Sequence, residues 1–163
     1  MDPRFDRRTN KPRIHDSLTP MHRIAAATFV LILAGCASTK QPPANVPPPQ
    51  MIGVFEDDYG IRYTIDRGQW RQIPSAVYDI VNWNVPGEYL VAVNDSSNST
   101  DQGLYTRIDW VELDASPDYP WAFCYTVYSA ESARDAQHAQ PANRAAPRSG
   151  CNGFPFSRMR RVQ

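Results

Sequence analysis

Short runs of alternating apolar and polar residues, separated by turn signals, constrain the fold of residues 51–163 more than any other feature. In residues 61–66 apolar and polar side chains alternate with a period of two, which is the period of a half-buried β-strand. Residues 121–127 place tryptophan, phenylalanine, tyrosine and valine on one face, and alanine, cysteine and threonine on the other. Further strands, rich in β-branched and aromatic residues, are predicted at 77–83, 88–94, 104–113 and 154–162.

Turn signals and a single helical segment set the order of these strands. Turn-forming residues cluster at 57–60, 67–68, 85–87 and 95–103. Only residues 129–139, with alanine at every third position, predict a helix. Strands joined by tight turns form an antiparallel meander, and closing the meander removes its exposed edges. We therefore predict an all-β fold, a closed barrel of about seven or eight strands with one short helix before the last strand. A β-sandwich is the alternative.

The N-terminal region contains an apolar stretch that ends near a cysteine. Residues 24–34 would reach about 16 Å as a helix, whereas a bilayer core is about 30 Å thick. The stretch is too short to span a membrane, but with Arg23 before it and small residues after it, it has the form of a secretory signal. Leu33–Cys36 resembles the lipobox of bacterial lipoproteins, which implies cleavage before Cys36 and acylation of this cysteine. Ala37 resembles the outer-membrane sorting pattern, which implies an anchor in the outer membrane and a domain facing the periplasm.

This resemblance divides the chain into four parts. Residues 1–20 are an upstream extension if translation begins at Met21, and a long signal n-region otherwise. Residues 21–35 are the signal peptide, residues 36–50 are the acylated cysteine with a proline-rich linker, and residues 51–163 are the β-rich domain. Proline-rich chain extends by ~3.1 Å per residue, so the linker can hold the domain up to about 40 Å from the membrane surface.

The formal net charge of zero conceals an asymmetry. The segment before Cys36 holds six Lys/Arg and three Asp/Glu, and the remaining chain holds eleven and fourteen. A slightly acidic mature chain argues against nucleic acid as a partner, since phosphate binding requires a basic face. Arg158, Arg160 and Arg161 are interpreted as a solvated strand end. The predicted partners are membrane lipid, through acylated Cys36, and a small hydrophobic ligand or an envelope protein.

Cys124 and Cys151 remain once Cys36 is acylated. An even number of cysteines in an oxidising compartment predicts one disulfide, which would close a loop of about 28 residues and contribute roughly 3.5 kcal/mol. It would pin the last strand, which then closes the barrel beside the first strand or lies at a sheet edge. A redox or metal pair is the alternative. No Cys-x-x-Cys occurs and His138 is the single histidine after Cys36, so neither a metal site nor a cofactor is predicted.

The order of strands, one helix and a final strand resembles the lipocalin-like (calycin) barrels. Those proteins usually open with Gly-x-Trp, and Gly53-Val54-Phe55 is the nearest match, with phenylalanine in the place of the tryptophan. The resemblance implies a closed antiparallel barrel.

Both faces of the predicted strands carry apolar and polar residues, whereas one face of a sandwich should be clearly solvated. Mixed faces favour a barrel whose interior or mouth holds aromatic residues with a few polar groups, as ligand pockets do. The candidate ligand-binding residues are Tyr63, Trp83, Tyr89, Arg107, Asp109 and Trp110. The alternative is that Arg107 and Asp109 form a structural ion pair and that the aromatic residues fill the core.

These patterns predict a membrane-anchored lipoprotein whose domain binds a small apolar or amphipathic ligand. The alternative is an envelope assembly or interaction protein with a filled core. A hydrolase ranks third, because His138 stands in the predicted helix and no Gly-x-Ser-x-Gly motif is present. The chain is therefore not predicted to be an enzyme.

Overall fold

The structure is a computed structural model, and it describes residues 45–162. The predictions on the signal peptide, the lipobox and Cys36 lie outside the described residues. The described chain begins with a short 3₁₀-helix at Pro49–Met51. The elements that follow are β1 (Gly53–Asp57), β2 (Arg62–Ile65), β3 (Gln69–Ile73), β4 (Ala76–Asn84), β5 (Tyr89–Asn94), β6 (Tyr105–Glu112), β7 (Trp121–Ala130), α1 (Ala133–His138) and β8 (Ser157–Arg161).

Each strand pairs antiparallel with its neighbours in the chain, and β1 also pairs with β8, so the sheet closes into an eight-stranded barrel. Two ion pairs cross this seam. Arg160 Nη2 lies 2.5 Å from Glu56 Oε1, and Arg158 Nε lies 2.8 Å from Asp58 Oδ2. The predicted all-β class, the closed barrel, the helix before the last strand and the closure beside the first strand are confirmed.

The helix is shorter than the sequence predicts. Tyr105 of β6 pairs with Ala130 of β7, which keeps the first residues of the predicted helical segment in the sheet. α1 begins after Ser132, whose hydroxyl accepts a hydrogen bond from the backbone N–H of Asp135 at 3.1 Å. A serine in this position satisfies one of the free N–H groups of the first helical turn. The predicted helix over 129–139 is therefore wrong in its first turn.

The interior of the barrel is a packed aromatic core. The Trp70 ring lies 5.0 Å from Phe123, 5.9 Å from Tyr63 and 6.2 Å from Trp121, measured between ring centroids. Phe55 packs edge-to-face on Trp121 at 5.2 Å. Each of these five side chains is at most 2% exposed. Edge-to-face pairs contribute about 0.5–1.5 kcal/mol each beyond the burial of their apolar area.

The barrel has two different ends. The chain enters at the end where β1 begins, which we call the entry end, and Met51 is buried there as part of the core. Asn45 donates its backbone N–H to the Trp83 carbonyl at 3.0 Å and accepts from the Trp83 N–H at 3.1 Å. The packed part of the chain thus begins within the segment predicted as linker. The opposite end, the far end, carries the β1–β2, β3–β4 and β5–β6 connections.

Residues 139–156 fold back over the outside of the wall, and we call them the cover. Cys151 of the cover is bonded to Cys124 of β7, with 5.5 Å between the Cα atoms, so the predicted disulfide is confirmed. Gly150 lets the cover close on itself, because a Cβ at this position would overlap the carbonyl oxygen of Asn143. A second, smaller core lies between cover and wall: Ala122, Cys124, Ala142 and Phe156.

Candidate functional site

The six predicted ligand-binding residues fall on opposite sides of the barrel wall. Successive residues of a strand point to opposite faces. Trp110 is therefore part of the interior core, whereas its neighbour Asp109 points outward under the cover. Three of the six belong to the interior core: Tyr63, Trp83 and Trp110. The other three lie on the outer face: Tyr89, Arg107 and Asp109. The six do not share one cavity.

Two of the three interior residues, Tyr63 and Trp83, have their polar side-chain atoms hydrogen-bonded within the protein. Tyr63 donates its hydroxyl to Asp57 Oδ2 at 2.9 Å, and Trp83 donates its indole N–H to the Arg67 carbonyl at 2.9 Å. The Trp83 and Trp110 rings are 5.9 Å apart. Burial, reinforced by the Asp57 carboxylate, raises the pKa of Tyr63 well above its ordinary value. These side chains act as core residues, as the sequence alternative proposed.

The three outer residues form a polar cluster in which Arg107 and Asp109 are buried. Arg107 donates from Nε and Nη2 to the two carboxylate oxygens of Asp109, each at 2.9 Å, and its guanidinium lies 3.9 Å above the Tyr89 ring. A further donor of Arg107 reaches the carbonyl groups of Gln137 at 2.7 Å and Ala139 at 3.2 Å, at the C-terminal end of α1. The cluster thus joins α1 to the barrel wall.

Arg144 of the cover completes this cluster. Its Nη2 lies 2.6 Å from Asp109 Oδ1, and its Nε donates to the Trp110 carbonyl at 2.8 Å and lies 3.2 Å from Glu88 Oε2. Asp109 is fully buried, but two guanidinium groups compensate its negative charge, and the Thr126 hydroxyl donates a further hydrogen bond to its carboxylate. A buried carboxylate with this many partners stabilises one arrangement of the surrounding chain. The cluster fastens the cover.

A cleft of about 430 Å³ opens between the cover and the outside of the wall. Its floor is apolar and consists of Leu113, Ala122 and Phe156. Two arginines and a tyrosine stand around it: Arg148, Arg158 and Tyr59. Ala122 and Phe156 are at most 2% exposed, whereas Tyr59 is 67% exposed. The cleft therefore combines a buried apolar floor with a polar rim.

The two arginines of the rim differ in what they contact. Arg158 donates from its backbone N–H and from Nε to Asp58, at 3.0 and 2.8 Å, and this carboxylate raises the pKa of Arg158. Arg148 is exposed and makes no ion pair with any residue of the 45–162 region. The rim thus keeps one uncompensated positive charge above an apolar floor.

Sequence reasoning did not find this cleft, because its residues come from four distant parts of the chain. Tyr59 follows β1, Leu113 follows β6, Ala122 lies in β7, and Arg148 and Phe156 belong to the cover. The usable signal was the predicted disulfide, since it places the segment around Cys151 against β7 and brings the neighbouring aromatic residues to the wall.

In the described region, His, Cys, Asp and Glu side chains form no group of three or more suited to a metal ion. Among the same residues, no helix has the length and the hydropathy needed to cross a bilayer. No family model matches the chain, and comparison with curated proteins and with solved structures gives no match.

Proposed function

We propose that this protein is a membrane-anchored lipoprotein that binds a small amphipathic anion in the cleft under its cover. The observation that carries the proposal is that Arg148, which makes no ion pair within residues 45–162, lines the cleft together with the apolar residues Leu113, Pro147 and Pro155. The floor would take the apolar body of the ligand, and Arg148 would take its carboxylate or phosphate. The packed aromatic core favours binding outside the wall over binding in the barrel interior.

The size of the cleft supports a small molecule. Sites for small ligands have volumes of about 300–1,000 Å³ and are mostly apolar with a few placed polar groups. The cleft is within this range at about 430 Å³. Apolar burial contributes about 25 cal/mol per Å². The apolar surface available to a ligand belongs mainly to Leu113, Pro147 and Pro155, because Ala122 and Phe156 are already buried. The exposed guanidinium adds up to about 1 kcal/mol and selects for an anion.

The anchor is the second part of the proposal. Acylation of Cys36, cleavage before it and transfer to the outer membrane follow from the lipobox resemblance of Leu33–Cys36. Labelled palmitate fed to expressing cells would enter the wild-type chain, and Cys36→Ser would abolish the label. Retention of the label in Cys36→Ser, or its absence from the wild type, would overturn the anchor without affecting the cleft.

Calorimetry with two matched ligands tests the cleft. The protein is the full mature chain carrying Cys36→Ser, which needs no detergent. We expect octanoate to bind more tightly than octanol, and Arg148→Glu to weaken octanoate by about fivefold while leaving octanol unchanged. Arg134→Glu is the control, because Arg134 is an exposed arginine of α1 outside the cleft. Equal binding of both ligands, or an equal loss in Arg134→Glu, would contradict the proposal.

One observation favours the second candidate, an envelope interaction protein. Phe154 is 72% exposed and stands on a tight turn in which the N–H and C=O groups of Cys151 and Phe154 are bonded at 2.8 and 3.0 Å. A rigid exposed aromatic side chain loses little freedom on binding and is a common anchor of protein interfaces. A photo-crosslinker at position 154 in intact cells would give one discrete adduct that is absent when the crosslinker replaces Val81, a half-exposed residue of β4. A discrete adduct together with no octanoate binding would favour this candidate.

A further inference from the structure

A second pocket, of about 210 Å³, lies at the far end of the barrel and shares no residue with the cleft. One side is formed by Tyr78 and Tyr128, and the other by Ser75 and residues 98–101 of the β5–β6 loop. The chain joins the barrel at the entry end. The pocket therefore lies at the end of the barrel opposite to the one at which β1 begins.

Three tyrosine rings form a row at this pocket, with Tyr125 between the two lining residues Tyr78 and Tyr128. The Tyr78 ring lies 5.4 Å from Tyr125, and Tyr125 lies 5.5 Å from Tyr128, with ring planes tilted by 38° and 35°. Tyr78 is only 8% exposed, whereas Tyr128 is 50% exposed. The inner rings thus support Tyr128, which offers part of its apolar ring surface to solvent at the edge of the pocket.

Asn94 holds both sides of the pocket in place. Its side-chain amide donates to the Tyr128 carbonyl at 2.8 Å and to the Asp101 carbonyl at 2.9 Å, and its oxygen accepts from the Thr106 hydroxyl at 2.5 Å. Asn94 is 3% exposed. One buried side chain therefore fixes the distance between the tyrosine row and the loop.

Asn98 fixes the rest of the loop. Its side chain accepts from the Val77 N–H and donates to the Val77 carbonyl, both at 2.8 Å, which joins the loop to β4. The amide of Gln102 donates to the Asn98 carbonyl at 2.5 Å. A loop held in this way needs little ordering when a ligand binds, which favours affinity.

The side chains that face the pocket are not used for these contacts. Within the part of the chain that the structure describes, Ser75, Ser99 and Thr100 make no side-chain hydrogen bond, and the Asp101 carboxylate has no partner. Three hydroxyl-bearing residues and one carboxylate-bearing residue therefore line the pocket together with Tyr128. This set can donate and accept several hydrogen bonds at once.

These features together select the chemical class of the ligand. The Asp101 carboxylate disfavours anions, and the free hydroxyl groups of Ser99 and Thr100 disfavour a purely apolar body. A quaternary ammonium ion is best held by several exposed aromatic faces, whereas only Tyr128 is substantially exposed here. A pyranose ring fits both sides, because its C–H face packs on an aromatic ring while its hydroxyl groups bond to oxygen side chains.

We infer that the far-end pocket binds one hexopyranose residue of a glycan. The sugar stacks on Tyr128, and its hydroxyl groups form hydrogen bonds with the Asp101 carboxylate and the neighbouring hydroxyl groups of the loop. Asn94 acts as a positioning residue that holds the two sides of the pocket together. A volume of about 210 Å³ accommodates a single sugar ring, so the rest of the glycan extends into solvent. This site is independent of the anion cleft.

Saturation-transfer NMR on the full mature chain carrying Cys36→Ser tests the site. The probes are two neutral trisaccharides, a β-1,4-linked N-acetylglucosamine trimer and maltotriose, with choline as a competitor. We expect transfer to the ring protons of at least one trisaccharide. Tyr128→Ala should weaken binding about tenfold, Tyr128→Phe should retain it, and Asp101→Asn should weaken it severalfold. Asparagine accepts the positive φ of 58° found at this position.

Phe154→Ala is the control, since it removes an exposed aromatic ring outside the pocket and should leave glycan binding unchanged. Three outcomes would overturn the inference: no transfer to either trisaccharide at millimolar concentration, displacement of the sugar signal by choline, or equal affinity in wild type and Tyr128→Ala. Thermal unfolding of each variant shows that the barrel is intact. The octanoate titration is unaffected by these variants, so the two proposals can fail separately.

Discussion

Arg107 and Asp109, two residues apart on β6, form a two-pronged ion pair with both distances at 2.9 Å on the outside of the barrel, beneath the cover. Asp109 is fully buried and Arg107 is 4% exposed. Removing one partner of a buried pair leaves the other charge uncompensated, which costs about 3–5 kcal/mol. We therefore expect Asp109→Ala to lower the free energy of unfolding by this amount in a urea titration.

The control for this pair is Arg62→Gln. Arg62 lies 3.7 Å from Glu56 and its side chain is 67% exposed, so the change should stay within about 0.5 kcal/mol. A loss in Asp109→Ala as small as that of the control would show that the cluster does not fasten the cover.

The filled interior predicts a large difference between two phenylalanines. Phe123 is 2% exposed and contacts the Trp70 and Tyr125 rings at 5.0 and 5.1 Å, whereas Phe154 is 72% exposed. Phe123→Ala should cost about 3–5 kcal/mol, because it removes apolar burial and leaves a cavity. Phe154→Ala should cost less than about 0.5 kcal/mol. Urea unfolding monitored by circular dichroism measures both, and similar losses would mean that the interior is loosely packed.

Gly150 predicts a local effect on the cover. An alanine there would force its Cβ into the Asn143 carbonyl, so the cover must shift. Overpacking of this kind costs about 1–3 kcal/mol. Gly68→Ala is the matched control, because its nearest neighbour would be 3.7 Å away and its φ is not positive. Hydrogen exchange should show faster exchange in the cover of Gly150→Ala than in its barrel strands, and unchanged exchange in the cover would contradict this.

Buried tyrosines predict a loss of stability at alkaline pH. Burial raises the pKa of four tyrosines above the ordinary value near 10: Tyr63, Tyr78, Tyr125 and Tyr128. The unfolded chain then loses tyrosine protons at a lower pH than the folded chain. Stability is fully present below pH 10 and falls as the pH rises above it. Absorbance at 295 nm should show part of the tyrosines ionising only as the barrel unfolds, whereas one common step near pH 10 in a folded protein would disprove the prediction.

The strands could be located from the sequence where alternation and turn signals agree. The segments predicted at 77–83 and 88–94 match β4 and β5 within a residue or two at each end, because β-branched and aromatic residues alternate there between clear turns. β3 was not located individually, since its residues are mostly polar. The alanine spacing over 129–139 was misleading at its start, because pairing with Tyr105 outweighs a weak helical preference.

The faces of the strands could not be assigned from the sequence. The outer face of a barrel strand is buried only if another segment of the chain covers it. The sequence of β6 itself does not show that the cover packs on its outer face. Arg107 and Asp109 therefore resembled pocket residues beside Trp110, although Trp110 lies inside the barrel wall and the other two lie outside it. The far-end pocket depends on Asn94, whose hydrogen bonds to the carbonyl groups of Asp101 and Tyr128 have no sequence signature.

Closure of the barrel joins the first strand to the last, and this has a consequence for how the chain must fold during synthesis. The backbone N–H of Arg158 donates to Asp58, 100 residues earlier. Until β8 has left the ribosome, β1 and β7 each carry a row of unpaired backbone groups, which is the state most prone to pairing with another molecule. A contact over this distance also forms slowly, since a long loop must close first. A nascent chain of this protein therefore needs Ser157–Arg161 of β8 before its open strand edges are protected from aggregation.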